Sequence, residues 1–129
     1  MFTIDEIKHA HARVKSGADF PAYIQEIKKL GVLKYDTYVV DGHSEYFGTD
    51  NFKILSPPKY GPLTISTASL KERFLTKLKD HQLGKTDYTT FCNDAADAGV
   101  EKWTVDLIGM TCTYYDSASH VLVVENVPN

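Results

Sequence analysis

Apolar residues recur every three or four positions in two stretches near the start of the chain, which predicts two amphipathic helices. The first follows Thr3 and Glu6, a capping-box pair in which each side chain can bond the other residue's backbone N–H. The second begins beside Pro21, which suits a first helical turn, and ends at Gly31, which favours a left-handed cap. Its predicted buried stripe contains Phe20, Tyr23, Ile24, Ile27 and Leu30.

After Gly31 the apolar period changes to two, which predicts β-strands. Asp41-Gly42 is a strong signal for a hairpin with a two-residue type I′ turn, in which both residues have positive φ. In that register the opposing pairs are Val40 with His43, Tyr38 with Glu45, and Asp36 with Phe47. Residues 43–47 then form the returning strand, and residues 52–55 can add a third.

The same order of elements is predicted a second time, 68 residues further along. Five aligned positions are identical and three exchange one aromatic residue for another, which chance rarely gives. The pairs are Asp19/Asp87, Phe20/Tyr88, Tyr23/Phe91, Gly31/Gly99, Val32/Val100, Lys34/Lys102, Tyr35/Trp103 and Tyr46/Tyr114. Ser69 and Glu72 predict a second capping box, and residues 120–125 predict the last strand. We therefore predict two ααβββ units, residues 1–55 and 69–125.

Residues 56–68 separate the two units. Pro57, Pro58 and Pro62 exclude a helix and a central strand, so we expect a surface linker with Leu63 and Ile65 tucked in. The length of 129 residues suits one domain. The prediction is a two-layer α+β domain over residues 1–129, with helices packed on antiparallel sheet and a pseudo-twofold relation between the halves. One six-stranded sheet and two three-stranded sheets fit the pattern equally.

Composition and charge narrow the classes of partner. A net charge of −3 argues against nucleic-acid binding, which normally needs a basic surface. No apolar run reaches the roughly 18 residues of a membrane span, and no secretion leader is recognisable, so we expect no membrane partner and a cytoplasmic location. Cys92 and Cys112 lack CxxC spacing and are expected to be buried thiols.

Four residues that could carry chemistry share one face of the predicted hairpin: Asp36, Tyr38, His43 and Glu45. The opposite, more apolar face is the predicted core and contains Tyr35, Thr37, Val39, Ser44 and Tyr46, with Trp103, Val105, Leu107, Cys112 and Tyr114 at the matching positions of the second unit. A histidine beside a carboxylate can act as a general acid or base, so His43 with Glu45 is one hypothesis. A solvent-facing sheet surface is also polar without any catalytic role, and the second unit has no histidine at the matching positions. The sequence pattern therefore does not identify catalytic residues.

Motifs for metals and phosphates are missing from the sequence. His9 and His11 point about 200° apart on a helix and cannot bind one ion together. No HExxH, CxxC pair, acidic calcium loop or glycine-rich phosphate loop is present. We therefore predict no metal site and no cofactor.

Two aromatic dipeptides, Tyr46-Phe47 and Tyr114-Tyr115, place one ring on each face of the predicted sheet. The outward rings of Phe47 and Tyr115 favour a ligand cleft or a protein interface, and a cleft across the pseudo-twofold axis could hold an apolar small molecule. The leading hypothesis is a non-enzymatic binding or interaction module. The alternative is a small enzyme that uses His43 with Glu45 or, in a weaker version, Cys112 as nucleophile. Pairing of open sheet edges into a homodimer is a further expectation.

Several motifs together resemble a known family along nearly the whole chain. They are Phe2-Thr3-Ile4, Ser16-Gly17-Ala18-Asp19-Phe20-Pro21, Tyr38-Val39-Val40-Asp41-Gly42-His43, Gly84-Lys85-Thr86-Asp87-Tyr88 and Met110-Thr111-Cys112-Thr113-Tyr114-Tyr115. With these motifs the chain resembles the YdfO-like proteins, short bacterial proteins of unknown function, some of which carry the label "phage envelope protein". The resemblance implies an α+β fold and a cytosolic bacterial protein, and it supplies no catalytic residues. No fibrous repeat or membrane segment of an envelope component is recognisable.

Overall fold

The computed structural model describes residues 2–14 and 19–127 and gives them the order ααβββααβββ. The helices are α1 (Ile4–His11), α2 (Phe20–Leu30), α3 (Lys71–Gln82) and α4 (Tyr88–Asp97). The strands are β1 (Lys34–Tyr38), β2 (Ser44–Phe47), β3 (Lys53–Leu55), β4 (Val100–Asp106), β5 (Thr111–Asp116) and β6 (Val121–Asn126). The predicted order of elements is therefore present twice, and we call residues 1–55 the first series and residues 69–125 the second series. The segment Ser16-Gly17-Ala18, which contributed to the family resemblance, lies outside the described residues.

Within this part of the chain, the six strands form one antiparallel sheet in the order β3-β2-β1-β4-β5-β6. The two series meet at the centre, where β1 pairs with β4 and Asp36 lies opposite Thr104, the residue 68 positions further on. The structure confirms the α+β class and decides for one sheet rather than two. The duplication of the halves stays a prediction. So does the homodimer, which would have to pair the sheet edges at β3 or β6.

The two faces of the sheet have different surroundings. The inner face meets the helices: Phe74 of α3 packs against Tyr114 with ring centroids 4.8 Å apart, and Phe91 of α4 packs against Trp103 at 5.7 Å. The residues predicted for this face are all buried, namely Tyr35, Thr37, Val39, Ser44, Tyr46, Trp103, Val105, Leu107, Cys112 and Tyr114. The outer face is the opposite side and is more exposed.

The hairpin between β1 and β2 has a wider turn than predicted. The observed pairs are Lys34 with Phe47, Tyr35 with Tyr46, Asp36 with Glu45, and Thr37 with Ser44. The predicted pairing of Val40 with His43, Tyr38 with Glu45 and Asp36 with Phe47 is therefore wrong by two residues. Gly42 has a positive φ of 75°, but Asp41 does not, which excludes the type I′ turn. A slip of two residues leaves each side chain on its predicted face.

Hydrogen bonds from residues 56–68 explain the wider turn. This segment donates four bonds to turn carbonyls: Tyr60 Oη to Val39 O (2.6 Å), Leu63 N to Val40 O (2.7 Å), and the N–H groups of Lys59 (2.8 Å) and Tyr60 (3.4 Å) to Asp41 O. Each bond satisfies a backbone carbonyl, so together they outweigh the local preference of Asp-Gly for a tight turn. As predicted, the segment forms neither helix nor strand, and Leu63 and Ile65 pack partly buried against the core.

The first predicted capping box is confirmed and the second is wrong. Thr3 and Glu6 exchange both expected hydrogen bonds at the start of α1. By contrast, α3 begins after Leu70 with no side-chain cap. The Ser69 hydroxyl donates instead to the Asp116 carboxylate at 2.9 Å, which ties the entry of α3 to the end of β5.

Gly31 and Gly99 follow the second helix of each series and both have positive φ, 106° and 88°. A Cβ on Gly99 would lie 2.1 Å from the carbonyl oxygen of Ala68, so the approach of the linker itself requires glycine there. At Gly31 the nearest atom, on Phe2, would be 3.8 Å away, and only the backbone conformation requires glycine.

Candidate functional site

The six residues singled out in the sequence all have their place on the outer face of the sheet: Asp36, Tyr38, His43, Glu45, Phe47 and Tyr115. Tyr38 and His43 stack with ring centroids 4.6 Å apart and planes inclined by 6°. Asp36 lies opposite Glu45, and its buried carboxylate accepts a hydrogen bond of 2.5 Å from the Thr104 hydroxyl. The hairpin therefore brings four of the six together.

The carboxylate that contacts His43 is Asp41 and not the predicted Glu45. Nδ1 of His43 lies 2.5 Å from Oδ1 of Asp41, and the backbone N–H of His43 donates to the same oxygen at 3.0 Å. Desolvation by itself would raise the pKa of Asp41, but the hydrogen bonds from His43 outweigh it and lower that pKa. The orienting role expected of Glu45 thus falls to Asp41.

Lysine ammonium groups lie over the outward aromatic rings. Lys34 is 4.9 Å from the ring centroid of Phe47, and Lys102 is 5.4 Å from that of Tyr115 and 5.8 Å from that of Tyr38. These cation–π contacts join side chains of neighbouring strands across the outer face. The binding role of Phe47 and Tyr115 stays a prediction.

A cavity of about 670 Å³ lies between the helices and the inner face. Such a volume is within the range of roughly 300 to 1,000 Å³ that is typical of small-molecule sites. Eight aromatic residues line the cavity, in four pairs with a spacing of 68: Phe20 and Tyr88, Tyr23 and Phe91, Tyr35 and Trp103, Tyr46 and Tyr114. Both series therefore contribute equally to its aromatic lining.

Burial keeps the hydroxyl and thiol groups of this cavity protonated. It raises the pKa values of the phenols of Tyr23, Tyr35 and Tyr114 above their ordinary range. It also raises the pKa of the Cys112 thiol to about 12, so little thiolate exists at neutral pH and the nucleophile hypothesis is disfavoured. Thr37 and Ser44 pair their hydroxyls with each other at 2.8 Å.

Charged and titratable side chains also line the cavity, among them Lys59, His11 and Glu125. Much of Lys59 is exposed, but its ammonium lies 5.2 Å from the ring centroid of Tyr88, and burial of that end lowers its pKa. Burial, and secondly the charge of Lys59, lower the pKa of His11 on α1. Glu125 of β6 also lines the cavity and accepts hydrogen bonds from Gln82 Nε2 at 2.8 Å and from the Tyr114 hydroxyl at 3.4 Å.

Sequence reasoning missed Lys59, His11 and Glu125 as lining residues. The sequence did contain one signal for the cavity, namely the four aromatic pairs that repeat after 68 residues, but these residues were interpreted as core. Lys59 could not be found in this way, because a lysine after two prolines indicates only an exposed loop. Across residues 2–14 and 19–127, no group of three or more His, Cys, Asp or Glu side chains is arranged to hold a metal ion.

The comparisons with known proteins point to a family without an assigned activity. Residues 8–126 match the family model described as "Protein of unknown function (DUF1398)". The "Uncharacterized protein YcgX" of Escherichia coli (strain K12) is 26% identical over 121 residues, which cover 91% of this chain and 87% of that protein. The helices of the described residues are not long and apolar enough for any of them to cross a membrane. The YdfO-like and phage envelope labels stay predictions, but the match over residues 8–126 shows that the chain belongs to the DUF1398 family.

Proposed function

We propose that this protein binds a small molecule with a flat, apolar body in the cavity between its helices and its sheet. The observation that carries the proposal is the lining of eight aromatic side chains around about 670 Å³. Aromatic side chains hold flat ligands by offset stacking and edge contacts, each of which depends on ring geometry. Because burial keeps the Cys112 thiol and the neighbouring phenols protonated, the lining favours binding over nucleophilic chemistry.

The predicted duplication supports a shared site. Each of the four aromatic pairs takes one member from each series, so neither series alone would enclose the cavity. We therefore infer that residues 1–129 act as one domain with a single site on the pseudo-twofold axis. We also place the protein in the cytoplasm, where the free thiols of Cys92 and Cys112 would stay reduced.

A neutral, aromatic fluorescent probe with a flat naphthalene ring, N-phenyl-1-naphthylamine, tests this proposal. We expect saturable binding together with quenching of Trp103, the one tryptophan of the chain, because its ring lines the cavity. Cys112→Phe places a ring in the cavity and should weaken binding by about ten-fold or more. Thr113→Phe adds the same ring at the next residue, on the outer face, and should leave probe affinity unchanged.

Circular dichroism and urea unfolding establish that both variants fold, and Cys112→Leu replaces Cys112→Phe if the larger ring prevents folding. Two results contradict the proposal. One is the absence of saturable probe binding to the wild-type protein. The other is an equal loss of affinity in the Cys112 and Thr113 variants.

A second candidate function is acid–base catalysis at His43 on the outer face. The 2.5 Å contact between His43 Nδ1 and Asp41 favours it, because such a contact fixes one imidazole tautomer and leaves the other nitrogen to react. A screen of hydrolase and isomerase substrates compares wild type with His43→Ala. Equal activity in the two proteins removes His43 from consideration.

The outer aromatic residues give a binding alternative on the same face. If Phe47 and Tyr115 capture a protein partner, Phe47→Ala and Tyr115→Ala should abolish capture while the circular dichroism spectrum stays unchanged. Their half-buried rings and the lysines over them leave a mixed aromatic and cationic surface for such a partner. Unchanged capture by both variants excludes this role.

A further inference from the structure

We propose that the ligand of the cavity is a flat organic monoanion, a carboxylate whose charged group meets the ammonium of Lys59. The proposal rests on the proposed function and adds the chemical class of the ligand. It assigns to Lys59 the role of fixing the ligand's orientation, with the apolar body of the ligand directed toward the aromatic lining.

The position of Lys59 is the first argument. Its backbone N–H donates to the carbonyl of Asp41 at 2.8 Å, so the side chain extends from a fixed point in the lining of the cavity. From there the ammonium reaches the ring of Tyr88, 5.2 Å from its centroid. This cation–π contact holds the ammonium at the aromatic lining, where it can meet a bound anion.

The absence of a carboxylate partner is the second argument. In the described part of the chain four ion pairs occur, Arg13 with Glu26, Asp41 with His43, Asp80 with Lys85, and Asp116 with His120, and Lys59 belongs to none of them. The titratable groups that influence or face its ammonium are His11, whose pKa is lowered, and Tyr88 and Cys92, whose pKa values are raised, so none of them carries a negative charge at neutral pH. Partial burial of the ammonium end lowers the pKa of Lys59, and a bound anion would offset the cost of that desolvation.

The carboxylates of the lining already have hydrogen-bond partners, which favours an anion rather than a cation as ligand. Glu125 is the carboxylate of β6 there, and hydrogen bonds from Gln82 and Tyr114 already use both of its oxygens. Asp87, the other lining carboxylate, accepts the N–H of Thr90 at 2.7 Å as the cap of α4. One lysine ammonium without an ion pair in the described residues, beside the aromatic lining, matches one carboxylate, whereas a doubly charged phosphate would leave charge uncompensated.

Isothermal titration calorimetry with two probes of the same shape tests the proposal. The probes are 2-naphthoate, an anion, and 2-naphthamide, its neutral counterpart. We expect wild type to bind 2-naphthoate about ten-fold more tightly than 2-naphthamide, because of one charge-assisted contact. Lys59→Met should remove that preference and keep the affinity for 2-naphthamide, and Lys59→Arg should restore the preference.

Lys102→Met is the matched control, because Lys102 also lies over aromatic rings but on the outer face. It should keep the full preference for 2-naphthoate. Equal affinity of the two probes in wild type, or a preference that survives in Lys59→Met, overturns the role of Lys59 and leaves the proposed function standing. If neither probe binds to wild type and N-phenyl-1-naphthylamine also fails, the proposed function is overturned as well.

Discussion

The two faces of this sheet use neighbouring aromatic residues in different ways. On the inner face Tyr114 is 6% exposed and packs between Phe74 and Trp103, whereas its neighbour Tyr115 is half-buried beneath Lys102. The inner aromatics enclose a cavity, and the outer ones form a strip with lysines and a histidine. The alternation of apolar and polar residues along a strand therefore predicts which side chains are buried, but it does not predict which face of the sheet binds a ligand.

Replacing the adjacent tyrosines one at a time should give the largest difference between the faces. Tyr114→Ala removes a buried ring and should lower the free energy of unfolding by about 4 kcal/mol, whereas Tyr115→Ala should cost about 1 kcal/mol. Urea unfolding followed by circular dichroism measures both. A similar loss in the two variants would mean that the outer strip contributes as much to stability as the inner core does.

The inner face was predictable from sequence because burial repeats every second residue. The pattern placed Tyr35, Tyr46 and Tyr114 together on the covered side, and the structure confirms each of them as buried. Face membership survived even the error in the hairpin, because the register slipped by two residues and not by one. The two-residue period of apolar positions therefore predicts the faces of the sheet more reliably than an Asp-Gly pair predicts the type of turn.

The features that the sequence did not predict depend on contacts between distant segments. The width of the β1–β2 turn follows from hydrogen bonds donated by residues 59–63, and the lost second capping box follows from the bond of Ser69 to Asp116. The same applies to Lys59, whose approach to Tyr88 is set by the path of the linker. Local propensity contains no information about such partners. The candidate site was therefore predicted on the outer face, where polar residues of one hairpin alternate along the strands and lie within ten positions of each other.

We expect a smaller difference in the free energy of unfolding between variants of two threonines on the outer face. The Thr104 hydroxyl donates to the buried carboxylate of Asp36, at the point where the two series meet. Thr104→Val keeps the shape of the side chain but leaves that carboxylate without its donor, which should cost about 2 kcal/mol of unfolding free energy. Thr113→Val, on the next strand and opposite Thr104, should change stability by less than about 0.5 kcal/mol.

Thermal and urea unfolding of the two valine variants test whether the Asp36–Thr104 hydrogen bond on the outer face contributes to the stability of the fold. If Thr104→Val is as stable as Thr113→Val, the Asp36–Thr104 contact adds nothing to the pairing of β1 with β4. The junction of the two series would then depend on inner-face packing alone, which would widen the difference between the faces.

The smallest effect concerns the titration of Asp41, at the end of the outer strip. Hydrogen bonds from His43 outweigh desolvation and lower the pKa of Asp41 in the folded protein. A carboxylate with a lowered pKa stabilises the fold above its unfolded value of about 3.9, and that contribution is lost as the pH falls through the folded pKa. His43→Ala removes the ring contact but keeps the backbone N–H, so the pKa of Asp41 should rise and the loss of stability in acid should become smaller.

Carboxyl ¹³C NMR measures this shift, with Asp116 as the internal control, because its pKa is lowered chiefly by the backbone N–H of His120. An unchanged Asp41 titration would mean that the backbone bond alone sets its pKa, and the case for an oriented His43 on the outer face would then lose its electrostatic support.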